Sequence, residues 1–167
     1  MEKKLVYKDK LSGDGFKVAV ITSRWNSDIT QRLNSGCLAV LKDKKIKQDN
    51  IYEFEVPGAY ELPAAASIII KQKNVNAVIC LGCIIKGETK HDIIIAQSVS
   101  DAIINLSLEY NIPVIFGVLT TENIEQAIER SGGKYGNKGI EAAYTALEMI
   151  HLFENIKKPN SKIGFNR

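Results

Sequence analysis

The chain has 167 residues, 45% of them apolar and 25% charged, which is ordinary usage for one globular domain and excludes disordered and fibrous classes. Its 22 basic and 19 acidic side chains leave a net charge of +3, with the signs interspersed, and so exclude a dedicated nucleic-acid groove. Three cysteines are too few for a disulfide scaffold, and no aliphatic run approaches the roughly 20 residues of a membrane span.

Residues 1–16 read as an N-terminal arm outside the core. Their charged start leads into no apolar stretch, so no secretory leader is expected, and a reduced, cytoplasmic setting is. Four short runs then read as strands: 17–22 (KVAVIT), 51–56 (IYEFEV), 77–82 (AVICLG) and 113–119 (PVIFGVL). The first, third and fourth are almost continuously apolar, as in parallel strands covered on both faces. The second alternates, which points to a wetter place near an edge.

Helical periodicity fills the gaps. Ile29, Leu33, Cys37, Val40 and Leu41 share one face, and Ala65, Ile68 and Ile69 begin a second helix. A third carries Ile95, Val99, Ala102, Ile103 and Leu106. A short helix near 122–130 precedes a last one with Ala143, Ala146, Leu147 and Ile150. The order β-α-β-α-β-α-β-α-α predicts an α/β fold: a three-layer α-β-α sandwich around a four-stranded parallel sheet, flavodoxin-like, over residues 17–156. Residues 157–167 read as a C-terminal tail.

In an open parallel sheet, ligands bind beyond the carboxyl ends of the strands, and the unusual residues cluster there. Trp25, the only tryptophan, is either a core residue or a platform for a planar heterocycle, and its polar neighbours Ser23, Arg24, Asn26 and Ser27 favour stacking. In the turn 56–63 (VPGAYELP), Pro57 and Gly58 tighten the chain. Glu61 there either complements a helix dipole or holds a polyhydroxyl chain. Gly87, Glu88 and Thr89 approach a helix start suited to a phosphate or carboxylate, although Glu88 must then act through its backbone. His91, in the first turn, is a general-base candidate or a structural histidine. His151 reads as surface or packing.

Two tempting motifs fail. Cys80 and Cys83 form a CxxC, but Cys80 lies inside a strand run, and the fourth ligand of a zinc site is missing. The segment 131–139 (SGGKYGNKG) lacks a Ser or Thr after either lysine and joins helix to helix, so it reads as a flexible surface loop rather than a phosphate loop.

Five motifs in order resemble lumazine synthase: 23–26 (SRWN), 56–63 (VPGAYELP), 85–91 (IKGETKH), 116–121 (FGVLTT), and 125–130 (EQAIER) followed by 136–139 (GNKG). The resemblance covers about residues 16–156. It implies condensation of 5-amino-6-ribitylaminouracil with 3,4-dihydroxy-2-butanone 4-phosphate, two small-molecule substrates, with no cofactor and no metal. Carried over by position, Trp25 stacks on the pyrimidine, Ala59 (through its backbone) and Glu61 hold the ribityl chain, and Tyr60 between them is a substrate-binding residue. Cys83, Ile84 and Ile85 line the heterocycle pocket. Gly87, Glu88 and Thr89 bind phosphate with Arg130 as the cation, and His91 transfers protons. Phe116, Arg130 and Lys138 fall where the family draws residues from a neighbouring subunit.

The resemblance further implies pentamers, with the short 132–136 loop favouring a sixty-subunit icosahedral shell, and riboflavin synthase as a candidate partner. One departure is visible: where family members carry an aromatic after the histidine, this chain has Asp92, set to hydrogen-bond locally, to raise the imidazole's basicity or to face solvent. Two rival readings are a flavin- or nucleotide-binding flavodoxin-like module, which the missing phosphate loop after the first strand disfavours, and a catalytically silent scaffold.

Overall fold

The structure, a computed structural model, describes residue 7 and residues 11–157. A parallel sheet of β1 (Val18–Ser23), β2 (Ile51–Val56), β3 (Ala77–Ile85) and β4 (Val114–Thr121) runs in the order β2-β1-β3-β4. Helices α1 (Ser27–Asp43), α2 (Leu62–Gln72), α3 (His91–Tyr110), α4 (Ile124–Glu129) and α5 (Lys138–Lys157) supply the crossovers and the final layer. This is the flavodoxin-like three-layer sandwich expected from the sequence.

The two-residue period of a strand splits the core in two. Val18 and Val20 of β1 and Ala77, Ile79 and Leu81 of β3 face α1 and α5, meeting Ile29, Leu33, Leu41, Leu147 and Ile150. Their neighbours Ala19, Ile21, Val78 and Cys80 face α2 and α3, meeting Leu62, Ala66, Val99 and Ile103. The alternating strand β2 is indeed an edge, with Glu53 and Glu55 exposed. The near-continuous apolar run of β4 also lies at an edge. Its faces are covered by α3 and α5 all the same, and face burial rather than sheet position sets the pattern.

Three differences from the sequence reading have physical causes. First, β3 runs on to Ile85, because Cys83, Ile84 and Ile85 pair in parallel with Leu119, Thr120 and Thr121 of β4. Second, the supposed glycine loop is a small hairpin of β5 (Ser131–Gly133) and β6 (Gly136–Asn137). Gly132 and Gly136 take φ values of 132° and 83°, open to glycine and strained for other residues. Asn137 pins the hairpin by donating to the carbonyls of Arg32 and Ser131 and accepting from the amides of Gly139 and Ile140.

Third, the described part of the first sixteen residues is not clear of the core. Leu11 is buried within it and Phe16 packs against it, while Tyr7 stacks on Tyr144 at 4.1 Å. His151 does packing work here: its Nε2 donates to the Ser12 carbonyl at 2.8 Å and its ring meets Phe16 edge-on. Lys157 closes α5, and the rest of the expected tail, 158–167, lies outside the described residues.

Candidate active site

Four chain segments meet beyond the carboxyl ends of β1, β2 and β3, and they enclose a cavity of about 760 Å³. Its wall includes Trp25 and Asn26 from the β1 exit, Gly58–Glu61 from the β2 exit, Cys83–Ile85 from β3, and Gly87, Thr89, His91, Asp92, Ile94 and Ile95 around the start of α3. The volume suits a ligand the size of a substituted heterocycle.

Trp25 is 74% exposed, so it is not a core tryptophan. Its backbone is held instead: Arg24 and Trp25 donate to the carbonyls of Val56 and Pro57 at 2.9 and 3.0 Å. Across the cavity mouth, Ala59–Glu61 form a single 3-10 turn ahead of α2, with Ala59 buried and Tyr60 exposed. Glu61 Oε2 accepts the Gly58 amide at 2.9 Å. Gly58 itself is extended (φ −140°), so a turn does not demand glycine there. A Cβ at that position would stand 3.1 Å from Glu61 Oε2, and the missing side chain is what lets the carboxylate close on the backbone.

The floor is strand. Cys83 is buried and its thiol is pushed up to about 11 by burial, so it is a neutral wall group at physiological pH. Cys80, likewise pushed up to about 12, packs on the opposite face of the sheet. The pair therefore cannot act as a dithiol, since strand geometry separates their side chains. Among the described residues no group of three or more metal-ligating side chains gathers.

At the far wall, Gly87 to Lys90 bend into α3, and Thr89 Oγ1 accepts the His91 amide at 3.4 Å, a long and weak bond. Of the phosphate-turn candidates Gly87 and Thr89 line the cavity; Glu88 is exposed and does not. Lys86 is engaged elsewhere, paired with Glu122 at 2.5 Å. Asp92 lines the cavity too. Its Oδ1 is buried and has no hydrogen-bond partner among the described residues, so the local hydrogen bond is not what Oδ1 makes.

Phe116, Arg130 and Lys138 do not reach this cavity within one chain. Phe116 packs into the α2–α3 side of the core, Arg130 ends α4 at the hairpin, and Lys138 pairs with Glu141 at 3.1 Å. Conversely, Asn26, Ile94 and Ile95 belong to the wall without having been singled out as site residues, and so does Gly58, whose turn was expected to let the backbone approach a ligand. The two isoleucines were detectable, because positions three and four beyond His91 share its helical face.

A doubly covered parallel sheet with a cavity of about 760 Å³ at its carboxyl edge defines an α/β protein built to hold a small organic molecule. Residues 15–154 match the family model of 6,7-dimethyl-8-ribityllumazine synthase. The chain belongs to the lumazine synthase family, transferase-type enzymes of riboflavin biosynthesis. Among the described residues no helix is long and apolar enough to cross a membrane.

Proposed function

We propose that the protein condenses 5-amino-6-(D-ribitylamino)uracil with 3,4-dihydroxy-2-butanone 4-phosphate to 6,7-dimethyl-8-ribityllumazine, releasing phosphate and water. The observation that carries this reading is the convergence of Trp25, Glu61, Gly87, Thr89 and His91 on one cavity. An exposed indole offers a stacking face for the pyrimidine. Glu61, oriented by the Gly58 amide, keeps acceptor capacity for ribityl hydroxyls. The amides entering α3 and the hydroxyl of Thr89 suit the phosphate.

The substrates carry their own nucleophile, an aromatic amine, and their own electrophile, a ketone. The protein therefore has to hold the pair in register and move protons during imine formation, phosphate loss and ring closure. Positioning supplies most of the acceleration, and the His91 imidazole serves the proton transfers. Phe116, Arg130 and Lys138, remote from the cavity of their own chain, complete the site of a neighbouring subunit. Arg130 supplies the phosphate's cation there. The working form is then a homo-oligomer, a pentamer or a shell of pentamers.

Mixing the two substrates with the protein and following the lumazine chromophore tests the reading directly. Product formation well above the spontaneous rate is expected. Tight flavin binding without turnover would favour a flavin-binding module instead, and normal assembly without turnover a silent scaffold.

A further inference from the structure

We propose that Asn26 is the positioning residue for the Trp25 indole, acting as a side-chain bridge between the β1 exit and β3. The inference rests on Trp25 being the stacking platform for the pyrimidine.

Asn26 adopts a left-handed conformation, φ 59° and ψ 47°, at the N-cap of α1. Asparagine is one of the few residues with a side chain that visits this region readily. An N-cap asparagine usually turns its side-chain oxygen onto the first helical amides. Here no side-chain cap is made, and Ile29 and Thr30 donate instead to the Asn26 backbone carbonyl. The side-chain amide is directed away from the helix and donates to the Cys83 carbonyl at 3.0 Å.

The acceptor explains the diversion. The ladder between β1 and β3 stops at Thr22 and Leu81, while β3 continues to Ile85. Past that point β1 has veered off, and Asn26 Nδ2 bonds to a β3 carbonyl beyond the end of the ladder. The segment 24–26 is thus tied on both flanks, to Val56 and Pro57 by its own amides and to Cys83 by Asn26. With the indole 74% exposed, packing does little to hold it. Its height above the Cys83–Ile85 floor is set by the backbone, and the backbone by this bridge.

The test uses the assembled full-length chain with Asn26→Gly, which keeps the left-handed backbone without the amide, and Asn26→Asp, which turns a carboxylate onto the Cys83 carbonyl. Trp25 is the only tryptophan, so its fluorescence anisotropy reports the indole alone. Both variants are expected to lower that anisotropy and to raise KM for the pyrimidine about tenfold, more for Asp than for Gly. Saturated kcat should fall by less than KM for the pyrimidine rises, with KM for the butanone phosphate unchanged. Native anisotropy and native pyrimidine KM in Asn26→Gly would overturn the proposal. So would a uniform loss of both KM values and kcat that simply tracks a lowered Tm. If the native chain forms no lumazine, the functional reading fails by itself, and the anisotropy of the unliganded variants still decides whether the bridge holds the indole.

Discussion

His91 opens α3 at the cavity wall, with Gly87 and Thr89 of the same wall just before it in sequence. Its replacement separates proton transfer from positioning. His91→Ala should lower kcat by about 10²–10⁴-fold while leaving measurable catalysis, because juxtaposition of the substrates survives the loss of one proton carrier. Steady-state rates on the assembled variant, checked for mass by light scattering, measure this. Complete loss in a correctly assembled variant would assign the histidine more than proton transfer. The motif around His91 was plain in the sequence. The orphaned oxygen of Asp92 was not, since burial of a single atom depends on neighbours that spacing does not reveal.

Among the elements, α1 and α5 approach so closely at Gly139 that there is no room for a side chain. A Cβ on Gly139 would stand 1.9 Å from the Leu33 carbonyl oxygen, and backbone cannot yield as a side-chain tip does. Gly139→Ala should therefore destabilise the fold by about 3 kcal/mol or more, as a small-to-large change in a rigid contact does. Thermal or urea unfolding would show it, and a change within about 0.5 kcal/mol would mean that the two helices can slide apart. The same contact places Asn137, whose hydrogen bonds reach both α1 and the start of α5. That is why a stretch that reads as a loose glycine loop is an ordered hairpin.

For the whole molecule, the apolar side chains left outside the core require an account. Ile93, Ile94, Ile104 and Leu108 of α3 are each at least half exposed, more than a chain working alone usually leaves on one helix. Phe116, Arg130 and Lys138 lie away from the cavity of their own chain. Both observations are met if copies pack around α3 and lend residues to one another. Sedimentation should then find a sixty-subunit shell, favoured by the short turn between β5 and β6. A pentamer mass would reject the shell and keep the shared site; a stable active monomer would reject both.

Apolar periodicity and glycine–proline punctuation determined the order of the four sheet strands and five helices, the two core faces of the sheet, the edge position of β2 and the carboxyl-end clustering of Trp25, Glu61 and His91, because each is a local property of pattern and topology. Tertiary structure decided the rest. It extended β3 by pairing with β4, brought Leu11 into the core, turned Gly58 into a seat for the Glu61 carboxylate, and diverted Asn26 from capping a helix to bridging a strand. Each of these depends on which atoms far apart in the chain come within hydrogen-bond or van der Waals reach, a distance that no spacing along the chain encodes.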